Sequence, residues 1–185
     1  MFIHLRVHSV YSLLESSVKI EELIGACVQN NMPAVAITDS GNLFGSLEFA
    51  EYAANRGIQP IIGCDVIVKH SDQNLPILLI AKDEKGYSNL VNLVSESFRK
   101  RQNSSDNPYI DFDELLNFNS GLISLTGNYN GILAQLLLKK DKVAIDRLVS
   151  TFSNRMYVEL QRHRLSVELE TEEVLIDFAY QYNLP

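Results

Sequence analysis

AVAITDSGNLFG, Ala34 to Gly45, decides the fold. Its first residues are apolar without alternation, the pattern of a strand covered on both faces. The run then delivers Asp39 and Ser40 at the strand's C-terminal end, where α/β folds build their sites. Upstream, around HLRVHSVYSLLES, His4 to Ser16, apolar Phe2, Ile3, Leu5 and Val7 alternate with polar residues before the acidic Glu15.

Working outward, strands are predicted at about Phe2 to Val7, Ala34 to Thr38, Ile61 to Val68, Ile77 to Ala81, Gly121 to Leu125 and Met156 to Leu160. Helices fall at about Lys19 to Asn30, Leu43 to Asn55, Lys85 to Phe98, Ile132 to Lys139, Lys142 to Phe152 and Val167 to Tyr182. Ile20, Leu23, Ile24, Cys27 and Val28 form one stripe at helical spacing, and Gly57 after Arg56 suits a left-handed C-terminal cap. Strand and helix in alternation, with PILLIA as apolar as AVAIT, predict an α/β fold with a mostly parallel sheet, as a barrel or a doubly wound layer. The tract Arg99 to Tyr109, RKRQNSSDNPY, reads as a long exposed connector. The final helical stretch reaches Pro185 where alternation calls for another strand, so the chain is expected to be part of something longer.

With 185 residues, 46% of them hydrophobic and 21% charged, the sequence has the make-up of one globular domain, residues 1–185. Sixteen Lys and Arg against 23 Asp and Glu give a net charge of −7, a field that repels a phosphate backbone. Nonspecific DNA binding by this domain alone is not expected. Cys27 and Cys64 are too few and too scattered for a disulfide framework and read as packed, reduced thiols. The N-terminus lacks the order of a signal peptide and no run approaches a membrane span, so a cytoplasmic location without membrane contact is expected.

His8, Glu15, Asp39 and Asp65 each fall at or just past the C-terminal side of a predicted strand. Imidazole with several carboxylates is a ligand set for metal-assisted hydrolysis of phosphate esters, although for each residue alone a capping or hydrogen-bonding role is the simpler reading.

Six blocks carry a resemblance over nearly all of the chain: HLRVHSVYSLLES, AITDSGNLFG, PIIGCDVIV, LLIAKDEKGYSNLVNLVS, LISLTGNYNG and MYVELQRH. In this order and spacing they resemble the N-terminal PHP (polymerase and histidinol phosphatase) domain of the alpha subunit of bacterial DNA polymerase III, the C-family replicative polymerases. The resemblance implies a distorted (β/α) barrel of PHP type, here C-terminally truncated. It implies a parent chain that performs DNA-directed DNA synthesis with Mg, on primer-template DNA, beside other replicase subunits. The KDEKGYSNLVNLVS block is similar to the polymerase branch and disfavours a free-standing histidinol phosphatase.

Matched residue by residue, the metal site that the family carries is only partly present. Arg6 stands where metal-binding relatives have the first His of a His-x-His pair, and His8 keeps the second. Glu15 keeps an acidic position, Asp39 survives in the Thr-Asp-His block and Ser40 replaces its His. Asp65 stands for a Glu, Pro76 for a His, and Asn128 for a Cys. His163 falls where the family often shows a His after a strand. The resemblance thus outlines a vestigial site of Arg6, His8, Glu15, Asp39, Ser40, Asp65, Asn128 and His163, with no catalytic residue and no metal or other cofactor in this domain. Pro and Ser supply no imidazole, and a guanidinium has no lone pair for a metal. At about 4 Å and an effective dielectric near 20, an Arg and a carboxylate attract by roughly 4 kcal/mol before desolvation, so Arg6 among Glu15, Asp39 and Asp65 can replace a metal's charge. The expected role is a scaffold that docks the proofreading exonuclease subunit. The alternative is a metal-dependent phosphoesterase, a 3′ to 5′ exonuclease or pyrophosphatase.

Overall fold

The computed structural model describes residues 2–101 and 107–185. Its element order is α1 (Ile20–Gln29), β1 (Ala34–Ile37), α2 (Ser46–Asn55), β2 (Gln59–His70), β3 (Gln73–Ala81), α3 (Glu84–Arg99), β4 (Ile110–Asp111), α4 (Phe112–Asn117), β5 (Leu122–Leu125), α5 (Ile132–Leu138), α6 (Lys142–Phe152), β6 (Met156–Tyr157) and α7 (Ser166–Tyr182). The sheet runs β1-β2-β3-β5-β6, with β4 beside β2, and curls into a half-barrel.

The sheet is mixed, which corrects the mostly parallel expectation. β1 pairs parallel with β2, and β5 with β6, but β3 runs antiparallel to both β2 and β5. The cause is local: β2 and β3 are joined by Ser71 and Asp72 alone, with Ser71 at φ 53°. Two residues close a hairpin, whereas a parallel return needs a crossover of a dozen or more. Within β3 the run from Ile77 to Ala81 stays apolar because both of its faces are covered. Ile77 and Leu79 enter the main core with Cys64, Val66, Leu90, Leu133 and Phe152. Leu78 and Ile80 face the other way, against Leu125, Ile61 and Ile123. A separate cluster joins α1, β1 and α2 through Ile20, Ile24, Cys27, Val35, Ile37, Phe49 and Ala53, which places most of the predicted helical stripe in a core.

The N-terminal strand, Phe2 to Val7, is the second correction. This segment runs beside β1 without becoming a ladder. Ala36 N–H donates to His4 O at 2.9 Å and Thr38 N–H to Val7 O at 2.8 Å, while the Val7 N–H is taken by the Thr38 hydroxyl at 2.9 Å. A side-chain oxygen stands where a strand carbonyl would be. The expected tract from Arg99 to Tyr109 begins in α3, and its residues 102–106 lie outside the described residues. Lys100, the C-cap of α3, forms ion pairs with Asp111 and Glu114 and so fixes where the connection starts relative to where it ends. Among the described residues no helix is long and apolar enough to cross a membrane.

Candidate functional site: an arginine-centred polar network

Four chain segments converge at the C-terminal end of β1. The N-terminal segment brings Arg6 and His8, two residues apart and therefore on one side of an extended backbone. The bend after β1 brings Asp39 and Ser40, and parallel bonds fix it to β2: Asp65 N–H donates to Asp39 O at 3.1 Å and Gly41 N–H to Asp65 O at 2.8 Å. Asp65 pairs with Leu78 across the hairpin, so its side chain emerges on the face that carries Leu78 rather than in the main core. Glu159 arrives just beyond β6.

Arg6 is the hub. Its Nε and Nη2 donate to Glu159 Oε1 and Oε2, each at 2.7 Å, in a fork that matches the carboxylate plane. Its Nη1 donates to Asp65 Oδ2. Burial on its own would lower the Arg6 pKa, but the bonds and charges of Glu159 and Asp65 outweigh it and raise the value further. The guanidinium is thus a permanent cation held between two acids. The network continues from Glu159 Oε1, which accepts from Gln161 Nε2 at 3.2 Å, to Gln161 Oε1, which accepts from Asn128 Nδ2 at 2.9 Å.

On the other side of Asp65 stands His8. Its Nε2 is 3.8 Å from Asp65 Oδ2, too long for a hydrogen bond, and its Nδ1 is 3.5 Å from Glu15 Oε2. The Asp65 carboxylate is the largest cause of a raised His8 pKa; burial and Arg6 oppose it and Glu15 assists. Glu15 accepts from the Ser40 hydroxyl. Asp39 is buried and accepts from Ser9 N–H at 2.6 Å, Ser9 Oγ at 2.8 Å and Ser12 Oγ at 2.6 Å. Its carboxylate organises the bend from Ser9 to Ser12, which in turn presents Glu15. Burial pushes the Cys64 thiol far up its range, and Cys64 Sγ lies against the Asp39 and Asn42 carbonyls, as befits a packed, unreactive thiol.

The expected arrangement of Arg6 among Glu15, Asp39 and Asp65 is therefore redistributed. Arg6 meets Asp65 and Glu159, Glu15 turns to Ser40 and His8, and Asp39 turns to serines. Glu159 escaped the sequence reading because it sat inside a predicted strand, Met156 to Leu160. β6 ends at Tyr157, so Glu159 follows the same rule as Asp39, an acid just past a strand. His163 lies apart from Arg6: its Nδ1 is 2.9 Å from Glu168 Oε1, and the same carboxylate accepts from His163 N–H at 2.7 Å and Leu165 N–H at 3.1 Å. Pro76 sits opposite Ile67 in the β2-β3 hairpin and lines, with His8, Glu15, Ser40 and Asp65, an open cleft of about 610 Å³.

The donor set fits a metal poorly. Among the described residues no group of three or more His, Cys, Asp and Glu side chains is placed to hold a metal ion. Arg6 sits against one oxygen of Asp65 and both of Glu159. Two buried atoms, His8 Nε2 and Asp65 Oδ1, do lack hydrogen-bond partners.

Comparison with known proteins defines the class first. Residues 4–163 match the PHP domain model, and the chain belongs to the PHP domain family. Two solved structures share the fold. One is an amidohydrolase from Chromobacterium violaceum with bound sulfate and no metal, with a TM-score of 0.63 at 14% identity, covering 98% of this chain and 84% of that one. The other is a putative metal-dependent phosphoesterase from Bifidobacterium adolescentis, with a TM-score of 0.59 at 14% identity, covering 98% and 83%.

Sequence relatives narrow the placement. Over its whole length the chain is 41% identical to DNA polymerase III subunit alpha of Rickettsia felis, 33% to that of Caulobacter vibrioides and 34% to that of Haemophilus influenzae. It spans 16%, 17% and 16% of their lengths.

Proposed function

We propose that this chain is the PHP domain of a replicative DNA polymerase III alpha subunit, and that the domain works as a metal-free structural and docking module. In this reading the parent polypeptide extends primers on DNA in the cytoplasm, with Mg at polymerase carboxylates outside this chain. The domain supports that core, offers a surface to the proofreading exonuclease subunit and other replicase subunits, and does not itself catalyse. The observation that carries the metal-free part is the position of Arg6. A guanidinium forked onto Glu159 and bonded to Asp65 supplies the positive charge these acids need, and cannot ligate.

The test is elemental analysis of the purified full-length subunit, alongside nuclease assay on single-stranded DNA with added Mn. Substoichiometric Zn and Mn and no degradation are expected, and Arg6→His with Ser40→His should raise metal retention. A tightly held stoichiometric metal, with a nuclease activity that His8→Ala abolishes, would overturn the reading. That outcome would favour the phosphoesterase, whose support is the pair of unpartnered atoms, His8 Nε2 and Asp65 Oδ1.

A further inference from the structure

The cleft beside the polar network has a lip of exposed apolar side chains that no core residue covers. Leu13 and Phe44 line it at 80% and 70% exposure, and their neighbours Leu14 and Leu47 are 107% and 71% exposed. The two segments that carry them, the bend through Leu13 and Leu14 and the chain from Phe44 into the start of α2, are locked together. Asn42 Nδ2 donates to Tyr11 O at 3.0 Å, Tyr11 Oη donates to Glu48 Oε2 at 2.8 Å, and Gly45 packs so tightly on the Tyr11 ring that a Cβ there would lie 2.7 Å from it. Leu14 carries two costs at once, a left-handed φ of 66° and complete exposure of an aliphatic side chain. Each is unfavourable by itself, and backbone outliers and exposed apolar patches both concentrate at binding surfaces.

The charge around this lip selects the occupant. Glu15 follows Leu13 and Leu14, Glu48 follows Leu47, and Glu51 lies one helical turn beyond Leu47 on the same side of α2. Arg101 lies along the cleft as a counterweight, and Asp65 is answered by Arg6. A second copy of a chain with net charge −7 would set acids against acids, and a phosphate backbone or an anionic bilayer would be repelled.

We propose that the lip formed by Leu13, Leu14, Phe44 and Leu47 is a protein-docking surface, and that its occupant is an apolar segment of a different subunit flanked by Lys or Arg. The inference rests on the docking reading above and gives it an address. The apolar side chains of the segment cover the four exposed residues and enter the cleft between Leu13 and Phe44, while its basic flanks meet Glu15, Glu48 and Glu51.

The experiment measures binding of the purified proofreading exonuclease subunit to the full-length alpha subunit by surface plasmon resonance. Leu13→Ser, Leu14→Ser and Phe44→Ser combined should weaken binding by about tenfold or more, and Glu48→Lys with Glu51→Lys should weaken it further at low salt. Leu169→Ser with Tyr180→Ser, exposed apolar positions on α7, should leave it unchanged. If wild type binds and the triple variant binds equally well, the surface assignment fails while the docking reading stands. If wild type does not bind at all, the docking reading fails and takes the assignment with it. Self-association of wild type that the triple variant abolishes would also overturn the proposal, in favour of a second copy.

Discussion

Arg6 and Glu159 stand 153 residues apart in the sequence and meet through two parallel hydrogen bonds of 2.7 Å. This fork ties the N-terminal segment, which has no ladder of its own, to the chain just past β6. Both side chains are mostly buried, at 23% and 12% exposure, so neither charge is cheaply returned to water when its partner is lost. Arg6→Met and Glu159→Gln are each expected to destabilise the fold by about 2 kcal/mol. The double variant should lose less than the sum, with a coupling of about 1 to 2 kcal/mol from a urea double-mutant cycle. Arg6→Lys should recover only part of the loss, because an ammonium keeps the charge but cannot fork. Strict additivity would show that the pair is a surface contact.

Asp39 is the structural carboxylate of the site, since its three donors all come from Ser9 and Ser12. Asp39→Ala leaves them buried and unsatisfied, at a cost of about 3 kcal/mol, or roughly 6 to 12 °C in Tm for a domain of this size. Asp39→Asn keeps an acceptor oxygen and should cost less. Calorimetry on the two variants orders them, and an Ala variant as stable as wild type would remove Asp39 from this role.

Gly86 shows how a backbone contact overrides helix propensity. In α3 an alanine would ordinarily gain about 1 kcal/mol over glycine. Here a Cβ at position 86 would lie 1.9 Å from the carbonyl oxygen of Gly121, which also accepts from Lys82 N–H at 2.9 Å. The clash is with backbone on both sides, so the helix must move away from β5. Gly86→Ala should therefore destabilise by about 3 kcal/mol, the upper range for overpacking, read from the denaturant midpoint. A stabilised variant would mean the two segments separate freely.

How much of this was legible in the sequence depends on what each residue's partner is. AVAI and PILLIA announced buried strands through their own composition, and both are buried. The antiparallel hairpin of β2 and β3 was not legible, because strands covered on both faces lose the alternation that marks antiparallel pairs. At the site, Asp39 was readable as an acid just past a strand end, whereas Asp65 lies inside β2, five residues short of its end, and which acid a cation meets is set by the curl of the sheet. That curl brings Glu159, not Asp39, to Arg6. Asp39 instead faces two hydroxyls whose sequence, Ser9 and Ser12, carries no periodic signal. His163 was put at the vestigial site by the family resemblance alone, and the turn into α7 directs it to Glu168.

His8 makes the stability of this region pH-dependent, with a sign that follows from its neighbours. The charged groups that face it are Asp65 and Glu15, which favour the imidazolium, and Arg6, which opposes it; the balance raises the folded pKa above the ordinary value of 6.5. A group whose pKa rises on folding contributes stability that is fully present below its unfolded pKa, and that contribution fades as pH climbs through the folded one. His8→Gln removes the titration while keeping a polar side chain of similar reach. The stability difference between wild type and His8→Gln should therefore be largest near pH 6 and shrink toward pH 9, measured by urea unfolding at fixed ionic strength. High salt should reduce the difference at pH 6 only modestly, because the His8 side chain is 27% exposed and the Asp65 side chain 14%. A difference that is flat across this range, or that grows with pH, would mean that His8 stays neutral in the folded chain and that Asp65 is balanced by Arg6 alone.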